Sequence, residues 1–94
     1  MADTTIGGSL PLLVDVEIST SPSEITIPVG VYSVALLEAV TGLEVSYDET
    51  TWAVPASTAG LIVWQSRLGR GGTVHLKLTS GSASTHPLLA QDHL

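Results

Sequence analysis

The side chains that could do chemistry here are few and scattered. They are His75, His86 and His93, the adjacent acids Asp48 and Glu49, the cations Arg67, Arg70 and Lys77, and the aromatics Tyr47, Trp52 and Trp64. The histidines show no H-x-H or H-x-x-x-H spacing and the chain has no cysteine, so no tetrahedral metal site can be read from residue order. Neighbouring residues on a strand face opposite ways, so Asp48 and Glu49 do not make a carboxylate pair flanking a substrate. Asp48 instead suits the first position of a turn, where its carboxylate accepts backbone N–H groups. The Gly-x-Ser-x-Gly elbow of serine hydrolases is absent, and Gly69-Arg70-Gly71-Gly72 lacks the Gly-Lys-Ser/Thr ending of a phosphate loop. The expectation is therefore no catalytic residue, no cofactor and no metal. Trp52 with Tyr47 could stack on a sugar ring, but in a chain without phenylalanine the tryptophans are expected to supply core bulk, Trp64 above all.

The elements that would carry these residues read as strands. Leu12, Val14, Val16 and Ile18 alternate with Asp15 and Glu17 across Leu10–Ile18, and Ile25, Ile27 and Val29 alternate with Glu24 and Thr26. Val31–Glu38 and Leu61–Ser66 are apolar on both faces, which predicts two interior strands covered from both sides. A short helix over Ala35–Thr41 is the rival reading of the first. Leu43–Tyr47, Trp52–Val54 and Thr73–Thr79 complete the set, with a hairpin predicted at the glycine-rich Arg67–Gly72 turn and His75 and Lys77 facing outward. Six or seven short strands at this spacing predict an all-β fold, an antiparallel β-sandwich or small barrel, over 10–79. Residues 1–9 read as a flexible N-terminal arm, able to order on a partner's sheet edge. Residues 80–94 read as a flexible tail, with Leu88, Leu89 and Leu94 available to dock on a neighbour.

A chain of 94 residues has room for one modest core. Charged residues make up only 13%, about half the usual share, which leaves a monomer poorly protected from association. The net charge of −6 disfavours non-specific attraction to nucleic acid or anionic lipid. No cysteine means no disulfide, so the redox compartment is undecided. Met1–Ser9 lacks the basic and apolar regions of a signal peptide, and no apolar run is long enough to cross a membrane as a helix. Arg67, Arg70 and Lys77 are the only cations and fall within eleven residues, which predicts a positive tip meeting an acidic neighbour.

The segment 31–56, VYSVALLEAVTGLEVSYDETTWAVPA, followed by a leucine-containing strand and RLGRGGTVHLKLTSGSA, resembles small β-rich virion structural proteins of tailed bacteriophages. The resemblance lies in a hairpin of the form strand, Gly, x-V-S-x-D-x-T-T-W, then a loop and a G-G-T-V-x-L strand. The matching residues are Gly42, Val45, Ser46, Asp48, Thr50, Thr51, Trp52, Gly71, Gly72, Thr73, Val74 and Leu76, over roughly the central half of the chain. What it implies is a non-enzymatic capsid decoration (cement) protein, a homo-oligomer with a trimer favoured, bound to the major capsid protein on the virion surface after assembly in the host cytoplasm. The implied partner contacts are Ile6 and Leu10 in the arm and Arg67, Arg70 and Lys77 at the positive tip. A head–tail connector, a tail or fibre-attachment subunit, or a carbohydrate-binding module stands as the alternative.

Overall fold

Alternating burial builds the structure. In the computed structural model, which describes residues 3–55 and 58–93, the chain is all-β, and no helix occurs among those residues. The strands are β1 (Thr4–Thr5), β2 (Leu12–Ile18), β3 (Ser23–Ile27), β4 (Ser33–Leu36), β5 (Leu43–Ser46), β6 (Ile62–Gln65), β7 (Gly72–Leu78) and β8 (Ser84–Gln91). They form two four-stranded sheets, ordered β1-β3-β7-β5 and β2-β8-β4-β6, which make an open sandwich and not a closed barrel. All pairings are antiparallel except β1 with β3, which is parallel. The inward residues of both sheets meet in one core: Val16, Ile18, Val34, Leu36, Val63, Leu88 and Ala90 from one, and Ile25, Ile27, Leu43, Val45, Val74, Leu76 and Leu78 from the other. Each fully buried Val, Leu or Ile contributes about 1.5–3 kcal/mol over leaving it exposed.

Five expectations are corrected by this arrangement. Residues 80–94 are not a loose tail: Ser84–Gln91 is the longest strand and lies between β2 and β4. Its alternation was masked by Leu89, which follows Leu88 on the opposite face, and by Pro87. That proline is tolerated because its carbonyl, and hence its missing N–H, faces the side where β4 has ended; Leu37 N–H still donates to Pro87 O at 3.3 Å. Nor are residues 1–9 a free arm. Thr4 and Thr5 pair with Ile25 and Thr26, Ile6 N–H donates to Thr26 O at 3.0 Å, and the Ile6 side chain is fully buried. Met1, Ala2 and Leu94, to which the arm and docking expectations also applied, lie outside the described residues, as do Ala56 and Ser57 of the loop before β6.

Of the two doubly apolar segments, Val31–Glu38 is covered over β4, where Ser33, Val34 and Leu36 are buried, whereas Leu61–Ser66 is not covered on both sides. β4 is interior within its sheet, yet Leu37 just beyond it is exposed; β6 is an edge strand whose Ile62 is 50% exposed. The second interior place went to β8, and the outer apolar face of β6 was left to solvent. The Arg67–Gly72 turn is not a hairpin either, because both edges of β7 are taken by β3 and β5, so the chain crosses from one sheet to the other. The crossing is tight. A Cβ at Gly71, whose φ is +78°, would sit 2.6 Å from Ile27 O, and one at Gly72 would collide with the Trp64 ring. Finally, Trp52–Val54 contributes only one bridge, Ala53 with Val45, so its strand is not regular.

Ile6 tests the docked N-terminus. Ile6→Ala should lower the unfolding free energy by about 2–5 kcal/mol, read as a shift in urea midpoint at unchanged slope. An unchanged midpoint would show that the segment is not part of the core.

Candidate functional site

Three places gather polar or apolar groups in a way that the core does not require. The first is the outer face of the β3–β7–β5 layer. Ser46 ends β5, and its Oγ accepts the N–H groups of Asp48 and Glu49 at 3.2 and 3.0 Å. Asp48 Oδ1 accepts the N–H groups of Thr50 and Thr51, both at 2.8 Å, and the Ser46 hydroxyl at 3.0 Å. The bonds from Thr51 N–H, Thr50 N–H and the Ser46 hydroxyl, in that order, favour the charged carboxylate and hold the Asp48 pKa below its ordinary value. The turn expected at Asp48 is therefore present. It also drives Glu49 into the left-handed region at φ 62° and lays its side chain over the sheet.

Beneath that turn stands His75 on β7, opposite Glu24 of β3 and Ser46 of β5. Its side chain is outward, as expected, but the turn buries it. Glu49 Oε1 lies 3.4 Å from His75 Nδ1, and Glu24, Glu49 and His75 each offer one ligand atom, all within 4.8 Å of one another. No spacing rule finds this set, because its members come from two strands and a turn. Only the register of β3 on β7 brings Glu24 beside His75.

Further along the same face, Lys77 Nζ sits 4.2 Å from the centre of the Trp52 ring, a cation–π contact. The expected positive tip is thus divided. Arg67 and Arg70 are exposed in the crossing turn, whereas Lys77 lies near the far end of β7, half-buried and opposite Glu44. Ile6 is in the core and so is not available to a partner; Leu10 is half-buried and packs against the core. Tyr47 and Trp52 each have a separate partner. Trp52 carries Lys77, while Tyr47 tilts onto Trp64, ring centres 6.3 Å apart, and donates its hydroxyl to Val63 O at 2.9 Å. Trp64 is half-buried against the core, with its Nε1 enclosed and without a hydrogen-bond partner.

The second place is an apolar hollow of about 360 Å³ beside the β6 edge. Tyr47, Val54, Pro55, Leu61 and Ile62 line it, and Tyr47, Val54 and Ile62 are 60%, 69% and 50% exposed. Exposed apolar groups rimmed by polar ones mark contact surfaces more often than chance.

The third is a hydrogen-bonded chain at one end of the β2-β8-β4-β6 sheet. Ser84 Oγ lies 2.7 Å from His86 Nε2, and His86 Nδ1 lies 2.8 Å from Glu38 Oε1. That is the order of atoms in a hydrolytic triad. Its setting differs: Ser84 is on a paired strand opposite Ile18, not on a sharp elbow, and the hollow beside β6 does not reach it. His93, paired with its neighbour Asp92, is exposed and joins none of these groups.

The fold class is thus a small two-sheet β-sandwich. No protein-family model, curated protein or solved structure matches the chain.

The Asp48 turn has a pH signature. A carboxylate whose folded pKa is depressed adds stability above its unfolded value, near 3.8, and loses it as pH falls through the folded value. Asp48→Asn should therefore melt below the parent at neutral pH, with the gap closing below about pH 4. A gap of constant size from neutral to strongly acidic buffer would remove the charged turn from the account.

Proposed function

We propose that this protein is a non-enzymatic structural subunit of a virion, a capsid decoration protein that seats as a homo-oligomer on the head lattice of a tailed bacteriophage. The observation that carries the reading is the open apolar hollow on the unpaired β6 edge. An edge strand offers unsatisfied N–H and C=O groups to a neighbouring chain, and the hollow offers Tyr47, Val54 and Ile62 beside them. With charged residues at only 13%, little on this surface opposes such contact. The exposed Arg67 and Arg70 turn adds a second, polar contact suited to an acidic capsid surface. Holding by many weak contacts repeated through symmetry requires no turnover, which agrees with the sequence resemblance.

Light scattering on the full chain, followed by co-sedimentation with capsid shells that lack it, tests this directly. Self-association and shell binding are expected. Ile62→Glu should shift the oligomer towards monomer, and Arg67→Glu with Arg70→Glu should weaken shell binding by about tenfold while leaving the melting curve in place, since each lost charged contact is worth on the order of 1 kcal/mol. A stable monomer that ignores the shells would end the proposal.

One observation favours a different class. The Ser84–His86–Glu38 chain has the atom order of a serine hydrolase, which would place Ser84 as nucleophile, His86 as base and Glu38 as its orienting partner. Against it stands the regular strand around Ser84, which supplies no elbow to aim an oxyanion donor; loss of even one such donor costs about 10²–10³ in rate. A fluorophosphonate probe is expected to leave Ser84 unlabelled. Labelling that Ser84→Ala abolishes would replace the structural reading with an enzymatic one.

A further inference from the structure

His75 is the one buried histidine of the described residues, 6% exposed, and its Nδ1 has no hydrogen-bond partner. The nitrogen lies 3.4 Å from Glu49 Oε1, but the angles of a hydrogen bond are not met. Leaving such a group enclosed and unpaired is unfavourable, so a native site of this kind calls for an explanation. What the ring lies beside is informative: two carboxylates, Glu24 and Glu49, neither of which is taken up by a hydrogen bond among the described residues. The neighbouring acids are already committed. Asp3 Oδ1 accepts Glu24 N–H at 3.2 Å, and Asp48 Oδ1 closes the turn.

We propose that Glu24, Glu49 and His75 form a binding site for a divalent transition cation of the zinc type, which pins the Ser46–Thr51 turn onto β3 and β7. One imidazole nitrogen with two carboxylate oxygens is a donor set for zinc and its first-row neighbours; calcium and magnesium take oxygen alone. In tetrahedral coordination the ligand atoms lie about 3.3–3.5 Å apart. The present spread of up to 4.8 Å closes by rotation of two flexible side chains, one exposed and one half-buried, while His75 stays fixed on the central strand. Three protein ligands leave a fourth position to water or to a donor from another chain. The left-handed backbone at Glu49, φ 62°, is what turns its carboxylate back over the sheet. This site does not rest on the capsid-binding reading: its ligands come from β3, β7 and the turn after β5, and its binding partner is an ion, although other residues of the same turn line the hollow beside β6.

The full chain, dialysed against a chelator and then buffer, is titrated with zinc chloride in a calorimeter, with magnesium and calcium chloride as controls. The expected result is one equivalent of zinc bound, a raised melting temperature, no comparable response to the controls, and a zinc-dependent shift of the His75 Nδ1 signal in nitrogen NMR. Glu24→Gln and Glu49→Gln should each weaken binding on the order of tenfold or more, since even an outer-shell partner is worth that much. His86→Gln, which removes the other buried-side histidine pair, should leave it unchanged. Zinc binding that survives both glutamine substitutions, or that vanishes in His86→Gln, overturns the assignment. So does the absence of stoichiometric binding, which would leave His75 and Glu49 as an ion pair alone.

Discussion

The backbone ladders of β7 and β8 carry the whole sandwich. No two strands adjacent in sequence pair with each other in either sheet. β3 and β5 are joined only through β7, and β2 and β4 only through β8, so each sheet waits for a strand from the last quarter of the chain. Ile18 pairs with Ser84 across most of the sequence, whereas a hairpin would close a loop of a few residues. Loop entropy grows by only about 0.6 kcal/mol per doubling, so four doublings cost roughly 2.4 kcal/mol. Burying Leu88 alone offsets that. The penalty is kinetic: almost every contact that rewards folding is long-range.

The same topology decides what can meet on the outer faces. A central strand borders two others, so its outward residues collect partners from both sides and from any turn that folds over them. His75 on β7 gathers Glu24 from β3 and Glu49 from the turn after β5. His86 on β8 gathers Ser84 from its own strand and Glu38 from the chain leaving β4. Edge strands gather less. β6 keeps Ile62 half in solvent and leaves its Val63 carbonyl to the Tyr47 hydroxyl, so the edge is partly closed by a side chain and partly open.

Much of this was legible in residue order, and the limits have physical causes. Strands with one solvated face, such as Leu12–Ile18, announce themselves by alternation, and the Asp48 turn by the carboxylate two and three residues before the N–H groups it accepts. An all-β sandwich or small barrel follows from those signals, and the two separate sheets decide between them. Strand order does not follow, because period-two patterning says which face is inward and nothing about which neighbour pairs. β8 was hidden by a proline that is harmless only where β4 has already stopped. The double apolarity of Leu61–Trp64 reads as a sign of cover, but an edge strand with a half-exposed outer face carries the same pattern. Ile6 had a single apolar side chain among polar neighbours, and one residue carries no period. The grouping of Glu24 with His75 needs the register, which only the fold supplies.

The two histidines on the central strands show how one architecture can leave its polar groups in different states. Both ring nitrogens of His86 have partners at 2.7 and 2.8 Å, so that side chain is satisfied as it stands. His75 is the more buried of the two and has a nitrogen with no partner. An unmet buried acceptor or donor costs about 1–3 kcal/mol, comparable to the gain from one core side chain. The deficit at His75, like that at Trp64 Nε1, is carried by a core of small β-branched and leucine side chains, and β7 is anchored on both edges and cannot shift to relieve it. A deficit that the protein cannot relieve by moving is one that a ligand can relieve by binding. That asymmetry makes the rigid centre of a sheet, and not its mobile loops, the place where a small ion would add most to stability.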